Sequence, residues 1–499
     1  MIPVLSATQT RQADTYTIEN EPIPSIDLME RASHAFVNKF TELAGRGHRL
    51  YVFCGTGNNG GDGLAVSRLL IKQGYDVRVF IVGTPEKGSP DFKVNLERLE
   101  ALTSVNQVPS ANHFPRLDKH DIVIDALFGS GLSRPLEGLF ADLVNHINES
   151  KSNIYSIDIA SGLFADQPPQ GKAIIEPLHT ISFQCPKAAF FHPSSKTYTG
   201  QWHVVDIGLD KGFVQSLEVN QYYSEVEDFY TVVPRRSKFD HKGDAGRVKI
   251  VSGSKGKMGA AVLCARAALR TGAGLVFVQT PACGRDVLQA SVPEAMVLED
   301  KGMEVITAIE VDDYDAIALG PGLDTRQDTR KAVRIFLEKA SSPVIIDADG
   351  LNILSLDKDL LKRVPPQSIL TPHPGEFKRL VGEWSNDFEK IELLRKFAMD
   401  HQFNVLLKGV YSVVCSSSGN CHYNCSGNPG MATGGSGDVL TGVIAALLGQ
   451  LKRPFEALHL GVYLHGLAGD LAAEKIGTTG MIASDIIDNL PSAVKKIQF

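Results

Sequence analysis

Short apolar, β-branched runs alternate with stretches of helical periodicity over the first two hundred residues. The helical stretches, 64–72 and 141–148, lie between runs that predict strands. Such alternation is typical of βαβ units and indicates a parallel sheet. The predicted strands are 50–54, 77–82, 121–125, 154–158, 180–183 and 202–207.

The same alternation returns after 211–227, a stretch without clear periodicity. The sequence therefore predicts two α/β domains, 1–218 and 225–499, joined by an arm at about 212–235. The strands predicted for the second domain are 247–251, 275–279, 316–319, 344–347, 368–370, 405–407 and 412–415. Its predicted helices are 259–270, 329–339, 391–399, 438–448 and 456–474.

Composition narrows the class of protein. The chain has 499 residues, of which 43% are hydrophobic and 21% charged, the balance of a soluble globular protein. The net charge of −7 and the lack of a Lys/Arg-rich run argue against a nucleic-acid partner, so any phosphate must be bound locally. No apolar run reaches the roughly 18 residues of a membrane span. The acidic first thirty residues do not suit a targeting peptide, and we expect a cytoplasmic protein.

Seven scattered cysteines, an odd number, do not suggest a secreted disulfide framework. Cys421, His422 and Cys425 could bind a metal ion, but no second pair of ligands accompanies them. An ordinary loop is therefore the favoured interpretation.

Three polar segments follow predicted strands of the first domain: 55–63 (GTGNNGGDG), 125–135 (DALFGSGLSRP) and 158–162 (DIASG). Ligands of open parallel sheets bind outside the carboxyl ends of the strands. Since these strands all end on one rim, we expect the three segments to converge on one site.

The first of these loops has three interpretations. Gly55, Gly57 and Gly60 satisfy the GxGxxG spacing of a dinucleotide fold, but the next predicted strand ends without the acid that would bind a ribose. Glycines also form plain turns. A loop for another phosphate or polar ligand is favoured.

Carboxylates add chemistry to this rim. Asp62 is predicted at the start of a helix, where it would be either a cap or a ligand. Asp125 and Asp158 end predicted strands, where sheet formation needs no acid. The oxygen donors that together suit an alkali or alkaline-earth cation are Asn58, Asn59, Asp125 and Ser161.

In the second domain, segment 428–442 (NPGMATGGSGDVLTG) leads into an apolar helical run. Its glycines let successive N–H groups face one point and the helix dipole adds positive potential, which predicts an anion cradle for a diphosphate. Asp438 stands at the helix start, as a cap or as the proton-transfer group for a substrate hydroxyl. The segment is not a Walker A loop, since the GK[ST] ending is absent, and 253–258 fails the same test at Met258.

Other candidates lie on the same rim. Lys408 ends a predicted strand and would contact phosphate. His373 lies between two prolines, in a rigid loop that favours ligand contact. The rim also includes Asp347 and the 320–322 turn.

These motifs resemble those of the bifunctional NAD(P)H-hydrate repair enzymes, which join a YjeF N-terminal type NAD(P)HX epimerase to an ADP- or ATP-dependent (S)-NAD(P)HX dehydratase. The resemblance spans nearly the whole chain, and its long C-terminal motif is the most specific part. In the first half it rests on 28–32 (LMERA), 55–63, 129–135 and 158–162. In the second half it rests on 241–247 (HKGDAGR), 267–276 (AALRTGAGLV), 320–323, 347–352 (DADGLN), 373–377 (HPGEF), 407–409 and 427–442.

The resemblance implies a Rossmann-like three-layer N-terminal domain and a ribokinase-like C-terminal domain. Asp158 and Asp438 would be catalytic, and magnesium would accompany ADP or ATP. Potassium would be bound by Asn59, Asp125 and Ser161. The hydrate would be bound in the epimerase by Asn58, Asn59, Gly60, Gly61, Asp62, Gly129, Ser130, Gly131, Leu132, Ser133, Arg134, Pro135 and Asp158, and in the dehydratase by Ala260, Gly322, His373 and Asp438. ADP would be bound by Lys408, Gly409, Val410, Tyr411, Ser412, Asn428, Pro429, Gly430, Met431, Ala432, Thr433, Gly434, Gly435, Ser436 and Gly437.

One departure from the family is Ala160, where the family usually has the proline of a DIPSG turn, so the turn that positions Asp158 would be looser. Family members commonly self-associate, and we expect a homo-oligomer. The rival interpretations are a ribokinase-like small-alcohol kinase fused to a dinucleotide-binding or scaffolding domain, and an NAD(P) oxidoreductase. The oxidoreductase is disfavoured because the next predicted strand lacks the acidic residue that would bind the ribose of the cofactor.

Overall fold

The computed structural model describes residues 1–498 and divides into two compact units. One unit comprises Ile2–Val219 with Asn386–Phe388, and the other comprises Asn220–Ser385 and the chain from Glu389 onward. Among the described residues, every helix is too short or too polar to span a lipid bilayer.

The N-terminal unit is built on seven parallel strands. Their order across the sheet is β3-β2-β1-β4-β5-β6-β7, the strand order of Rossmann-like folds. The strands are β1 (Leu50–Cys54), β2 (Val77–Ile81), β3 (Asn106–Gln107), β4 (Ile122–Ala126), β5 (Asn153–Ile157), β6 (His179–Phe183) and β7 (Gln201–Val205).

Helices cover both faces of this sheet. Val52 and Cys54 of β1 belong to one apolar cluster, whereas Tyr51 and Phe53 belong to another. Because successive side chains of a strand point to opposite faces, both faces are buried and the unit has three layers. The helices are α1 (Ala7–Asn20), α2 (Ser25–Leu43), α3 (Asn58–Lys72), α4 (Pro90–Glu100), α5 (Gly138–Glu149), α6 (Lys196–Thr199) and α7 (Lys211–Ser216).

The C-terminal unit has a larger, mixed sheet of order β8-β17-β16-β15-β14-β13-β12-β9-β10-β11. The pairs on both sides of β16 are antiparallel and the others are parallel. The strands are β8 (Gln221–Tyr223), β9 (Arg247–Val251), β10 (Leu275–Pro281), β11 (Met296–Asp300), β12 (Ala316–Leu319), β13 (Ile345–Ile346), β14 (Ile369–Leu370), β15 (Asn404–Leu407), β16 (Val413–Cys415) and β17 (Cys421–Tyr423).

The helices of this unit include α14, which is almost entirely buried and packs closely on α8. Gly442 of α14 makes that approach possible, since a Cβ there would lie 2.1 Å from the carbonyl oxygen of Cys264. The helices are α8 (Met258–Arg270), α9 (Arg285–Ser291), α10 (Gln327–Lys339), α11 (Asp349–Leu356), α12 (Pro374–Val381), α13 (Asp387–His401), α14 (Ser436–Leu451), α15 (Pro454–Ile476) and α16 (Ala483–Ile497).

The arm predicted at 212–235 is more ordered than its pattern suggested. It contains the end of α7 and the whole of β8, and β8 pairs in parallel with β17. Helix α1 was also missing from the predicted elements, because only Ala13 and Thr17 of its residues are buried and no apolar stripe marks it. A capping box at Ser6, whose hydroxyl accepts from the N–H of Gln9, begins this helix instead.

Replacing Gly442 with alanine is expected to destabilise the C-terminal unit by about 1–3 kcal/mol, because the added methyl group overpacks the contact with Cys264. Urea unfolding followed by circular dichroism measures the effect. Gly259→Ala on α8 is the matched control, since a Cβ there meets nothing within 4 Å. The control should leave stability unchanged or raise it by up to about 1 kcal/mol. Equal midpoints for the two variants would contradict the assigned contact.

Candidate active sites

The first site is a cavity of about 750 Å³ at the carboxyl ends of β1, β4 and β5. The three predicted polar segments all contribute to its wall. Among the residues expected to bind the hydrate, those on the wall are Asn58, Asn59, Asp62, Gly129, Ser130, Gly131, Leu132, Ser133, Arg134, Pro135 and Asp158.

Helix α3 begins earlier than expected, which changes the position of Asp62. The N-cap of α3 is Gly57, which has no side chain that could cap the helix. Because the helix begins at Asn58, Asp62 lies in its second turn and is not a cap. Its carboxyl group faces the cavity. Gly60 and Gly61 are not on the wall. A Cβ at Gly60 would lie 1.8 Å from the carbonyl oxygen of Gly55, so this glycine allows the close turn between β1 and α3.

Asp158 follows β5 and is held by a buried ion pair. Its Oδ1 lies 2.8 Å from Nζ of Lys187, whose residue is only 1% exposed. The same oxygen accepts hydrogen bonds from the backbone N–H of Phe183 at 3.2 Å and from the hydroxyl of Ser182 at 3.3 Å. Three groups thus fix the carboxylate at the cavity wall.

The backbone at Asp158 has a φ of 65°, a left-handed conformation that is costly for a residue with a Cβ. The N–H of Asp158 donates to the carbonyl of Ile181 at 2.8 Å and thereby anchors it to β6. Ala160 is buried, and its carbonyl accepts from Leu163 at 3.0 Å. A closed turn therefore forms with alanine in place of the family's proline.

Asp125 is the penultimate residue of β4 rather than a residue beyond the strand, and it is fully buried. Its carboxylate accepts from the hydroxyl of Ser161 at 2.6 Å, the N–H of Ser161 at 2.9 Å and the hydroxyl of Ser156 at 2.9 Å. Burial raises the pKa of Asp125 despite these hydrogen bonds. Nearby, the buried Nδ2 of Asn59 has no hydrogen-bond partner. The hydrogen-bond partners of the buried Asp125 carboxylate are therefore all neutral, so its negative charge has no cation beside it among the described residues.

Sequence reasoning missed three charged residues of this site. Arg11 and Asp14 reach the cavity from α1, and the guanidinium of Arg11 lies where a side chain at Gly131 would be. Lys187 is the third. Arg11 and Asp14 belong to a helix without a clear periodicity, and Lys187 lies beyond β6, outside every motif, so no local signal marked them.

The second site is a cavity of about 720 Å³ in the C-terminal unit. It includes His373 and most of the residues expected to bind ADP. Those on its wall are Lys408, Gly409, Val410, Ser412, Asn428, Pro429, Met431, Ala432, Thr433, Ser436 and Gly437. Those expected but not on the wall are Tyr411, Gly430, Gly434 and Gly435.

The glycine-rich segment leads into α14, as the sequence predicted, but the helix begins at Ser436, two residues before the predicted start. The N-cap is Gly435 at a φ of 90°, and no side chain caps the helix. The N–H groups of the first turn are therefore available to an anion. Asp438 is the third residue of α14 rather than its cap. Burial and then the neighbouring Asp347 raise the pKa of Asp438 to about 6.

Lys408 directly follows β15 and is fixed by Asp347. Its Nζ lies 2.7 Å from Oδ1 of Asp347, while the hydroxyl of Thr441 donates to Oδ2 at 2.7 Å. A Cβ at Gly437 would lie 3.4 Å from Nζ of Lys408, so the lysine reaches the start of α14. His465, also on the wall, was not predicted, and burial lowers its pKa to about 4. The cavity thus combines one placed cation with a helix N-terminus.

His373 lies at the end of a loop, where it is the N-cap of α12. Its Nδ1 accepts hydrogen bonds from the N–H groups of Gly375 at 3.0 Å and Glu376 at 3.3 Å. In the neutral ring the proton therefore resides on Nε2. Glu376 completes the capping box by accepting from the N–H of His373 at 2.9 Å. The Nε2 edge of the imidazole is a hydrogen-bond donor that is half exposed and lies 3.4 Å from Oε1 of Glu376.

Ala260 and Gly322 are next to each other but away from this cavity. Gly322 has a φ of 60°, and a Cβ there would lie 3.0 Å from Cβ of Ala260. Lys257 is their neighbour, with its Nζ 3.2 Å from Oδ2 of Asp349. The structure therefore separates the expected hydrate contacts. Ala260 lies beside Gly322, whereas His373 lies on the wall of the second cavity.

Comparison with known proteins gives the family. Residues 25–189 match the model of the YjeF-related protein N-terminus, and residues 248–492 match that of NAD(P)H-hydrate dehydratase. A bifunctional NAD(P)H-hydrate repair enzyme of Moorella thermoacetica is 36% identical over 99% of this chain and 97% of its own length. The Escherichia coli K12 enzyme of the same name is 34% identical over 94% of this chain and 89% of its own.

The chain belongs to the bifunctional NAD(P)H-hydrate repair enzymes. It is therefore an enzyme with an isomerase activity, the epimerisation of NAD(P)H hydrate, and a lyase activity, its dehydration. A ribokinase-like superfamily protein of Enterococcus faecalis V583 superposes with a TM-score of 0.50 at 27% identity, covering 56% of this chain and 98% of that structure. The expected fold classes and the expected activity are confirmed.

In this repair enzyme, replacing Lys187 with methionine is expected to cost about 3–5 kcal/mol in the free energy of unfolding of the N-terminal unit, because Asp158 would remain buried without its partner. Adding Asp158→Asn should recover part of the loss. Lys211→Met is the control, since Lys211 and Asp206 form an exposed pair at 3.6 Å worth at most about 1 kcal/mol. Urea unfolding measures all three variants, and a Lys187→Met variant as stable as the parent would refute the ion pair.

Proposed function

We propose that the N-terminal unit epimerises R- and S-NAD(P)HX and that the C-terminal unit dehydrates S-NAD(P)HX at the expense of ADP or ATP. We assign the first activity to the domain expected at 1–218 and the second to the domain expected at 225–499. The observation that carries the proposal is the C-terminal cavity, whose wall includes Lys408 and the uncapped start of α14. Asp438 lies in the first turn of the same helix, where the charges of Lys408 and Asp347 act on it. An anion cradle next to a proton acceptor is the arrangement that phosphoryl transfer to a hydroxyl needs.

The epimerase needs little chemical assistance. NAD(P)HX carries a hydroxyl at C6 of a tetrahydropyridine ring, next to the ring nitrogen, and the nitrogen lone pair can expel that group. Proton transfer near C6 is then needed, and Asp158 is the acid/base that we assign to this role. The hydrate-binding residues we assign here are those on the cavity wall, Asn58, Asn59, Asp62, residues 129–135 and Asp158, while Gly60 and Gly61 lie behind it in the start of α3.

A potassium ion fits the floor of this cavity. The hydroxyl oxygen of Ser161 lies 3.2 Å from the carbonyl oxygen of Phe128, and both lie next to the buried Asp125. A Cβ at Gly129 would lie 3.3 Å from Oδ1 of Asn59, so the amide faces the same loop. Oxygen donors with one buried negative charge suit a monovalent cation. We therefore assign Asn59, Asp125 and Ser161 as its ligands, where it would supply positive charge.

The C-terminal cavity suits a nucleotide in shape and charge. Its polar end combines Lys408 with the start of α14, where phosphates would be bound. Its apolar wall includes Val410, Met431 and Val462, which would contact a base. The ADP-binding residues that we assign are Lys408, Gly409, Val410, Tyr411, Ser412 and 428–437.

Dehydration is harder than epimerisation because hydroxide is a poor leaving group. In the proposed mechanism the C6 hydroxyl of the substrate gives its proton to Asp438 and receives a phosphoryl group. The ring-nitrogen lone pair then expels phosphate, and the departing phosphate takes the proton lost from C5. Lys408 neutralises charge on the phosphates, and His373, as a donor through Nε2, helps to orient the hydrate together with Ala260 and Gly322.

Magnesium fits the same site. Asp347, Glu376 and Asp438 lie around a single lysine, Lys408, so carboxylates are in excess there. Burial raises the pKa of Glu376, which is consistent with this excess. Magnesium would be held by carboxylate oxygens and the nucleotide's phosphates, and it would supply positive charge to the phosphoryl group.

The whole proposal is tested by incubating the full chain with mixed R- and S-NADHX and either ADP or ATP while the absorbance of reduced nicotinamide is followed. Recovery of the whole mixture supports both activities. Recovery of the S fraction alone, after correction for spontaneous epimerisation, would remove the epimerase assignment. No recovery with either nucleotide would refute the dehydratase assignment.

Asp438→Asn is expected to reduce nucleotide-dependent recovery of NADH by at least about 100-fold, because the amide cannot accept the hydroxyl proton. Epimerisation, followed by separating the R and S forms chromatographically, should be unchanged. Asp485→Asn, near the start of α16 and outside the cavity, is a matched control that should keep both activities. If the Asp438 variant still dehydrates S-NADHX, the catalytic residue is another one.

The pH dependence of the dehydratase gives a second check on Asp438. A group that acts as a base must be ionised, and the raised pKa of Asp438 is about 6. kcat/KM for S-NADHX should therefore be level above this value and fall about tenfold per pH unit below it. Steady-state rates over about pH 5 to 8 measure the profile. A flat profile would show that Asp438 is not the titrating base.

Removal of potassium is expected to slow epimerisation and to lower the thermal unfolding midpoint of the N-terminal unit, because an ion bound only by the folded state stabilises it. The comparison is KCl against choline chloride at equal ionic strength. Asp125→Asn should abolish the response of the unfolding midpoint to potassium. Equal midpoints and rates of the parent enzyme in the two salts would refute the cation site.

A further inference from the structure

Helix α1 contributes a carboxylate to the epimerase cavity that no motif identified. Thr10, Arg11 and Asp14 line the cavity from this helix, at the spacing of three and four residues that places side chains on one helical face. Glu19, on the same helix, is exposed and does not reach the cavity. Asp14 is thus directed into the site rather than into solvent.

The cavity holds more carboxylates than cations. Asp14, Asp62 and Asp158 all line it, and Lys187 forms its ion pair with Asp158 alone. Burial and then the charge of Asp158 raise the pKa of Asp14 to about 6. Burial, and then the charges of Asp158 and Asp14, also raise the pKa of Asp62 well above its ordinary value. The other charged groups on the wall are Arg11, Arg134 and Glu137.

Inversion at C6 requires two proton-transfer groups. The departing hydroxyl must gain a proton on one face of the ring, and the incoming water must lose one on the other. A single carboxylate on one face cannot do both in one passage. A pair of carboxylates that share one proton can, since each is the acid in one direction and the base in the other.

We propose that Asp14 is the second acid/base of the epimerase and acts on the face of the substrate ring opposite Asp158. This inference rests on the proposed role of Asp158 in epimerisation. Asp14 donates its proton to the C6 hydroxyl as the C6–O bond breaks and the nitrogen lone pair forms the C=N bond. Water then adds to the other face of C6, the C=N electrons return to nitrogen, and Asp158 takes the proton of that water. The reverse reaction starts with Asp158 protonated and Asp14 ionised, so atoms, protons and charge balance in both directions.

The experiment measures epimerisation by full-length Asp14→Asn, Asp14→Glu and Glu19→Gln. Asp14→Asn is expected to lower kcat at least about 100-fold while KM changes less than about threefold, since the amide keeps the shape but transfers no proton. Asp14→Glu should recover part of kcat. Glu19→Gln, the acid-to-amide control on α1, should match the parent. Removing a carboxylate from a crowded acidic site should not lower the thermal unfolding midpoint, which is measured alongside.

Three outcomes would overturn the proposal: kcat of Asp14→Asn within about threefold of the parent, a loss confined to KM, or a glutamate variant no better than the asparagine variant. Asp158→Asn separates this failure from that of the proposed function. If Asp158→Asn is inactive while Asp14→Asn is active, only the role of Asp14 fails. If Asp158→Asn is fully active, the assignment of the epimerase site itself fails.

Discussion

The N-terminal site depends on the parallel pairing of its strands, and the C-terminal site depends on the same kind of pairing. Cys54 of β1 pairs with Ala126 of β4, and Asp125 of β4 pairs with Ser156 of β5. This register places the hydroxyl of Ser156 at 2.9 Å from the carboxylate of Asp125. It also brings three loops that are distant in sequence onto one rim. A shift of one residue in any pair would turn these side chains to the opposite face.

Both sites use the same electrostatic arrangement. In each site one lysine forms an ion pair with one carboxylate: Lys187 with Asp158, and Lys408 with Asp347. A further carboxylate then lies nearby without a cation of its own, and burial with a like-charged neighbour raises the pKa of both Asp14 and Asp438 to about 6. A carboxyl group in this range can both bind and release a proton near neutral pH, which neither a paired nor a solvated aspartate does well.

The sequence predicted those parts of the molecule whose signals are local. Strand-like runs, glycine turns and the start of α14 could be read from residues within a few positions of each other. Arg11, Asp14 and Lys187 could not, because only the tertiary fold brings α1 and the chain after β6 to the rim. Helix boundaries also misled, since Asp62 looked like a cap until the helix was found to start at Asn58. Local patterns thus identified the loops, whereas long-range packing determines which charges face the substrate.

Backbone strain shows why an aspartate rather than a glycine follows β5. Asp158, after β5, has a φ of 65°, and Ala348, directly after Asp347 of the second site, has a φ of 47°. Glycine would relieve the strain of about 1–3 kcal/mol at either position. At 158 it would also remove the carboxylate that Lys187 pairs with, and a buried unpaired lysine costs more than the strain. The unfavourable conformation at 158 therefore persists because the charge it carries is needed within the site.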